Sequence, residues 1–262
     1  MFEIFSNPDV WAAIITLTLL EIVLGIDNII FISIAAGKLP DTLRKQATNI
    51  GLVLAMVLRI VLLFGISFLV AMKAPFWHIN KSWISGGISW QALILFAGGL
   101  FLLYKSTKEI HEKVVDREHD EREVKSNRST TLTKAIVQIT MINIVFSFDS
   151  ILTAIGMTSG ISSNPTDALI VMIIAVVISV LIMMLFANPV GNFVNKNPSI
   201  QILGLSFLIL IGFMLIAESA HISHLKVLGQ SVGAIPKGYL YFAIAFSLMV
   251  EFLNLRMAKK KA

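Results

Sequence analysis

Two short apolar segments with the same pattern of polar residues carry the side chains most able to do chemistry in this 262-residue chain. Residues 21–30 read E-I-V-L-G-I-D-N-I-I, and residues 143–152 read N-I-V-F-S-F-D-S-I-L. Asp27 aligns with Asp149, and each is followed by an amide or a hydroxyl side chain. Hard divalent cations such as manganese, magnesium and calcium prefer carboxylate, amide and hydroxyl oxygens. The repeated motif therefore predicts a divalent-cation site.

Candidate ligands come from both copies of the motif. They are Asp27, Asn28, Glu21, Asp149, Ser150 and Asn143, the last of which aligns with Glu21. Glu21 could bind the metal or accept a proton that exchanges with it. Arg59, inside the second apolar segment, is expected to balance a carboxylate. A structural alternative, in which the aspartates are protonated or pair with Arg59 for packing, stays open. Three further charges are weaker candidates: Lys105, Glu218 and Glu251.

Composition places these motifs in a membrane. The chain is 56% hydrophobic and 14% charged, whereas a soluble protein is about 25% charged. It has no cysteine, which excludes a thiolate metal site. A bilayer-spanning helix needs about 20 mostly apolar residues. Ionised residues inside such helices usually mark a pathway or a binding site. Seven segments qualify as spans: 10–36, 46–72, 89–107, 132–157, 167–189, 199–220 and 238–256.

Basic residues orient the seven spans. If the N-terminus is external, most of the 21 lysines and arginines fall on the cytoplasmic side. The exceptions are Arg59, within a span, and the external residues Lys73, Lys81, Lys226 and Lys237. Because cytoplasmic loops of membrane proteins are enriched in Lys and Arg, we expect an N-out, C-in topology.

The two motif copies lie three spans apart, which turns the second copy upside down. The sequence therefore predicts an all-α membrane protein with seven transmembrane helices, an inverted 3+3 repeat and one extra helix. A second match supports the repeat, since G-L-F-L-L-Y-K at 99–105 resembles G-F-M-L-I-A-E at 212–218. The predicted segments are a first repeat, a charged cytoplasmic linker or helical extension, a second repeat, and a seventh helix with a basic tail: 1–108, 109–131, 132–225 and 226–262.

Helix geometry limits how the first motif could bind an ion. In a regular helix, Glu21 and Asp27 point about 120° apart and lie about 9 Å apart along the axis. Local unwinding near Gly25 would let both carboxylates hold one ion. Without unwinding, the two carboxylates form two successive binding sites along the path of the ion, or Asp27 shares a site with Asp149 from the opposing repeat. The first and fourth spans are longer than a bilayer requires, so a tilt or a break is expected there.

Longer stretches resemble a known family. They include L-E-I-V-L-G-I-D-N-I-I-F at 20–31, G-G-L-F-L-L-Y-K-S-T-K-E-I-H at 98–111 and I-V-F-S-F-D-S-I-L-T-A-I-G-M at 144–157. On these residues the chain resembles the TerC family of bacterial membrane proteins, which is named for tellurium resistance and grouped with LysE-type exporters. The resemblance implies manganese export across the inner (cytoplasmic) membrane, with the family's acidic motifs at Asp27-Asn28 and Asp149-Ser150. The chain departs from many relatives by having an amide, Asn143, where they carry an acid.

The leading hypothesis is an exporter of a divalent cation, Mn²⁺, coupled to protons, because carboxylates bind metal when ionised and release it when protonated. Three alternatives remain: a stress- or tellurite-resistance complex subunit without transport, a LysE-like exporter of organic solutes, and an intramembrane aspartyl protease. Asp27 lacks the G-x-G context of such proteases. No enzymatic activity, prosthetic group or nucleic-acid partner is expected. The expected partners are the lipid bilayer and the metal ion, and a homo-oligomer stays open.

Reporter fusions test the predicted orientation. Fusions at residue 120 and at the C-terminus should report a cytoplasmic location, and a fusion at residue 162 an external one, because of the basic-residue bias. An external location for residue 120 would contradict both the orientation and the inverted repeat.

Overall fold

The structure, a computed structural model, describes residues 3–65, 72–81, 83–119, 131–158 and 165–261. Some side chains within its helices lie outside the described part, and those of Asp27, Asn28 and Asp149 are among them. The described residues contain seven α-helices, so the predominantly helical fold is confirmed. They are α1 (Pro8–Gly37), α2 (Asp41–Phe64), α3 (Trp90–His119), α4 (Leu132–Thr158), α5 (Pro165–Lys196), α6 (Pro198–Ile222) and α7 (Lys237–Lys261).

Three of the described helices are long and apolar enough to cross a membrane, namely Thr42–Phe64, Thr166–Lys196 and Pro198–Ile222. They correspond to the predicted second, fifth and sixth spans. The other four spans, the repeat and the orientation stay predictions. Helix α3 continues to His119, so the charged stretch after the third span starts as a helical extension. Residues 120–130 of that stretch lie outside the described residues.

A small antiparallel sheet is present, which the all-α prediction did not include. Its strands are β1 (Pro75–Asn80), β2 (Ile84–Ser89), β3 (Lys226–Val227) and β4 (Gln230–Ser231), paired in the order β1-β2-β3-β4. The backbone N–H of Gly87 in β2 donates to the carbonyl of Ser223 at 2.7 Å. Strands β3 and β4 have two residues each, and the sequences P-F-W-H-I-N of β1 and I-S-G-G-I-S of β2 do not alternate polar and apolar residues, so the sequence pattern did not reveal them.

The chain forms two compact units by contact. The first unit comprises Met1–Leu69 and Arg128–Asn195, and contains α1, α2, α4 and α5. The second unit comprises Val70–Asn127 and Lys196–Ala262, and contains α3, α6, α7 and the sheet. The two units are defined by contacts, whereas the predicted segments are defined by the repeated sequence. The division into the predicted segments stays a prediction. Helices predicted to correspond between the repeats nevertheless fall in the same unit.

Within the first unit, the two helices that carry the motif run in opposite directions. Ala36 at the end of α1 shares a buried cluster with Ala47 near the start of α2 and Ala135 near the start of α4. Helix α1 therefore ends where α2 and α4 begin. Helix α5 runs parallel to α1, because successive positions along α1 meet successive positions along α5: Gly25 packs against Met183, and Ser33 against Gly191.

Helix α1 is continuous from Pro8 to Gly37, and α4 from Leu132 to Thr158. Of the tilt or break expected from the length of these two spans, a break is therefore excluded for both helices. The side chain of Met183 occupies the space that a β-carbon on Gly25 would need. Gly25 thus allows close helix packing, as small residues do in membranes, and does not unwind the helix.

In the second unit, α3 and α6 cross at two glycines that the sequence match aligns with each other. A β-carbon on Gly99 would lie 2.7 Å from the carbonyl oxygen of Gly212 and 2.8 Å from the side chain of Ile216. A β-carbon on Gly212 would lie 2.9 Å from the carbonyl oxygen of Gly99 and 3.1 Å from the side chain of Leu103. The contact is reciprocal, because each glycine meets the other glycine and the residue four positions after it.

We expect Gly99→Ala to lower the stability of the protein. The added methyl group would clash with backbone, which costs about 1–3 kcal/mol and outweighs the roughly 1 kcal/mol gained in helix propensity. Gly238→Ala is the matched control, because no atom lies within 4 Å of its added β-carbon. Thermal unfolding in detergent should show a lower midpoint for Gly99→Ala only. Equal midpoints for the two variants would contradict the close crossing.

Candidate functional site

A buried ion pair joins the first motif to the second helix. Nη1 of Arg59 in α2 donates to Oε2 of Glu21 in α1. Only 3% of Glu21 and 6% of Arg59 are exposed. Taking either charge out of water is costly, so each depends on its partner for compensation. The geometry gives Arg59 a carboxylate partner, Glu21.

Asn143, which aligns with Glu21, lies close to the same pair. It is buried, and its side-chain amide donates to the carbonyl of Ile139 at 2.9 Å. Asn143 and Arg59 line one cavity together with Met183 of α5. Glu21 lines a different cavity, which Ile151 of α4 also borders. The structure therefore pairs Glu21 with Arg59 directly and places Asn143 on a cavity that Arg59 also lines.

The second motif presents buried hydroxyl groups along α4. Ser147 Oγ donates to the carbonyl of Asn143 at 2.6 Å, and Ser150 Oγ donates to the carbonyl of Ser147 at 3.2 Å. Both serines are buried. Because each hydroxyl hydrogen is used by the backbone, the oxygen lone pairs are oriented away from it. The role of Ser150 as a cation ligand stays a prediction.

The predicted ligands Asp27, Asn28 and Asp149 have side chains outside the described residues, so their contacts stay predictions. The described helices still give the positions of Asp27 and Asp149 along the helix axes, measured from the cluster of Ala36 and Ala135. Asp27 lies nine residues before Ala36 on α1, and Asp149 lies fourteen residues after Ala135 on the antiparallel α4. The two positions therefore differ by about five residues, or about 7.5 Å of helix rise. Among the side chains that the structure does describe, no group of three or more His, Asp or Glu could hold a metal.

The weaker candidates lie in the second unit. Lys105 Nζ forms an ion pair at 2.7 Å with Oε1 of Glu109, four residues further along α3. The sequence match had placed Lys105 against Glu218 as its counterpart in the other repeat. Glu218 and Glu251 are half-buried on α6 and α7. No role in a cation site follows from these contacts.

Sequence reasoning missed two threonines. Thr18 precedes Glu21 by three residues, and Thr140 precedes Asn143 by three. The Oγ1 atoms of both are buried and have no hydrogen-bond partner among the described residues. Buried polar atoms are rarely unsatisfied, so these two need an explanation. The signal was present in the sequence, because extending the two motifs backwards aligns T-L-L-E with T-M-I-N.

The chain was compared with known families and proteins. Residues 6–262 match the model of the integral membrane protein TerC family. The chain belongs to the TerC family. The resemblance read from the two acidic motifs is thereby confirmed across nearly the whole sequence.

Similar curated proteins of the TerC family agree with the match. A UPF0053 protein of Haemophilus influenzae is 44% identical over 259 residues, which cover 99% of each chain. The UPF0053 inner membrane protein YgdQ of Escherichia coli K12 is 45% identical over 260 residues, covering 99% of this chain and 98% of YgdQ. YoaE of the same strain is 40% identical over 252 residues, which make up 44% of YoaE. No solved structure matches the chain. The protein is thus an integral inner-membrane protein.

The packing of Met183 against Gly25 should couple these two positions energetically. Gly25→Ala forces the Met183 side chain to move, which we expect to cost about 1–3 kcal/mol. In a Met183→Ala background that cost should disappear, giving a coupling of about 1 kcal/mol or more. Thermal unfolding of the single and double variants measures it. The Gly238→Ala and Met183→Ala pair is the control and should be additive; additivity at Gly25 as well would rule out the contact.

Proposed function

We propose that this TerC-family protein exports a divalent cation, Mn²⁺, across the inner membrane in exchange for protons. In this proposal Asp27 and Asp149 supply the negative charge of the cation site, and Asn28 and Ser150 supply neutral oxygens. Manganese follows from the family resemblance, while the preference for a hard divalent cation follows from the ligand types. The observation that carries the proposal is the opposed direction of the two motif helices within one compact unit.

Opposed helices are what two inverted repeats require. If the repeats are related by a two-fold axis in the membrane plane, α1 must run against α4, and α3 must meet α6 symmetrically. The shared cluster of Ala36 and Ala135 supports the first condition. The reciprocal packing of Gly99 and Gly212 supports the second. Inverted-repeat transporters commonly bind their substrates near the membrane midplane, at the interface between repeats.

The charges inside the first unit suit a divalent cation. Away from the ends of its helices, the charged residues are Glu21, Asp27, Arg59 and Asp149. Glu21 and Arg59 compensate each other. Two negative charges then remain, and one divalent cation neutralises them. A monovalent cation or an organic anion would leave uncompensated charge in a low-dielectric environment, which is costly.

Protonation gives a simple route to coupling. Both aspartates must be ionised to offset the dehydration of a divalent cation, and protons that bind them on the opposite side would release it. Two protons carry the same charge as one divalent cation, so the site is electrically balanced in either state. Because α1 is unbroken at Gly25, Asp27 does not share an ion with Glu21 through local unwinding. Two arrangements remain. Either Glu21 and Asp27 belong to successive binding sites along the path of the ion, or Asp27 and Asp149 share one site.

Asp27→Asn and Asp149→Asn should each lower manganese transport by at least about tenfold, which corresponds to about 1.4 kcal/mol. Each change keeps an oxygen and nearly the same volume, so it removes charge without disturbing packing. Uptake of Mn²⁺ into inverted membrane vesicles measures the rate, normalised to folded protein.

Asp9→Asn is the matched control, since Asp9 is an exposed residue in the first turn of the same helix, α1. It should transport like the wild type. If both motif variants also transport at the wild-type rate, the aspartates are structural and the proposal is wrong.

A further inference from the structure

Among the described residues, Glu21 and Arg59 form a buried ion pair in the first unit, and a two-fold repeat within this unit would provide a second, equivalent place for such a pair. Contacts of the described residues identify the second place. Gly51 of α2 packs against Ile139 of α4. Ile139 aligns with Leu17 in the repeated motif, and Leu17 borders a cavity together with Ala175 of α5. Met172 and Val176 of α5 line that cavity as well. We align Gly51 with Ala175, because each is a small residue that lies near one of these two aligned motif positions.

Eight residues further along these helices, Arg59 of α2 corresponds to Met183 of α5. Their neighbours correspond as well. Arg59 forms its ion pair with Glu21. Met183 borders the cavity that Asn143, the counterpart of Glu21, also lines. In this alignment the charged pair of the first repeat is replaced in the second repeat by an amide and a thioether, two neutral side chains that are each shorter than the charged one they correspond to.

We propose that Glu21 and Arg59 act as a single neutral unit, equivalent to Asn143 and Met183, so that the cation site draws its charge from Asp27 and Asp149 alone. Glu21 then neither binds the metal nor carries a proton, and Arg59 is a positioning residue that keeps Glu21 compensated. The statement that Asp27 and Asp149 alone supply the charge of the cation site rests on the proposed function. The equivalence of Glu21–Arg59 with Asn143–Met183 does not depend on that function.

The energetics of buried ion pairs support this assignment. Replacing both partners with well-packed neutral groups is often tolerated, whereas removing one partner leaves a buried charge without compensation. The second repeat already contains such a neutral pair. Its amide also has a backbone acceptor, because Asn143 Nδ2 donates to the carbonyl of Ile139. In Glu21→Asn, the carbonyl of Leu17 offers the equivalent acceptor one turn earlier on α1.

Copying the second repeat into the first tests the proposal. The variants are Glu21→Asn, Arg59→Met and the double variant, all in the full chain. We measure thermal unfolding in detergent, and uptake of Mn²⁺, Mg²⁺ and Ca²⁺ into inverted vesicles, normalised to folded protein. Each single variant should lower the unfolding midpoint and reduce Mn²⁺ uptake by at least about tenfold, because a buried charge loses its partner. The double variant should restore the midpoint, the uptake rate and the order of preference among the three metals.

The reverse change provides a second test. Asn143→Glu places an uncompensated carboxylate in the second repeat, and adding Met183→Arg supplies its partner. The double variant should therefore be more stable and more active than Asn143→Glu alone. If Met183→Arg brings no recovery, the two positions do not correspond and the proposal fails.

The outcomes are distinguishable. If the Glu21→Asn/Arg59→Met variant does not fold, or folds but is as inactive as the single variants, one of these residues has a role of its own and the proposal is overturned. Single variants that match the wild type in both measurements would also overturn it, since no charge then depended on its partner. If the wild type takes up no Mn²⁺ but the unfolding midpoints show the rescue, the proposed function fails while the equivalence of the two pairs stands.

Discussion

The rest of the first unit depends on the compensation of charge away from water. Its helix interiors contain three carboxylates and one guanidinium, and none of these can be left alone at low dielectric without a large penalty. The Glu21–Arg59 pair satisfies two of them within the protein. In the proposed function, a cation or protons from outside compensate the two aspartates. The need for compensation explains why α1 packs on α2 through the Glu21–Arg59 pair.

Close packing of unbroken helices is the second constraint. Backbones approach one another at Gly99 and Gly212, whereas Gly25 and Gly51 leave room for the side chains of Met183 and Ile139 from neighbouring helices. In lipid, association of helices relies on such close contacts, because burying apolar surface gives little advantage there. Continuous helices also keep every backbone hydrogen bond satisfied inside the membrane. The carboxylates are therefore presented from regular helical backbone, and their spacing along α1 and α4 follows from helical rise alone.

Sequence reasoning predicted the helices well and the site only in part. Each of the seven predicted spans overlaps one described α-helix, and three of these helices are long and apolar enough to cross a membrane. A run of about 20 apolar residues predicts a helix because that is the length needed to cross a bilayer. The repeated motif led to Glu21, Asn143 and Arg59, which the structure brings together. Other features needed three-dimensional contacts. The strands of the sheet do not alternate polar and apolar residues, and Gly25 is equally compatible with a break or with close packing. The sequence also did not indicate that Met183 lines a cavity with Arg59.

The charge balance also explains why one repeat can be neutral where the other is charged. A carboxylate and its arginine contribute nothing to the net charge of the site, so replacing both leaves that charge unchanged. Replacing either aspartate alters it by one unit, and no neighbouring residue of the helix interiors offsets the change. In this proposal the upstream positions of the two repeats, Glu21–Arg59 and Asn143–Met183, diverge together, while both aspartates are required. An acid at position 143 is compatible with the same site only if position 183 also carries a positive charge.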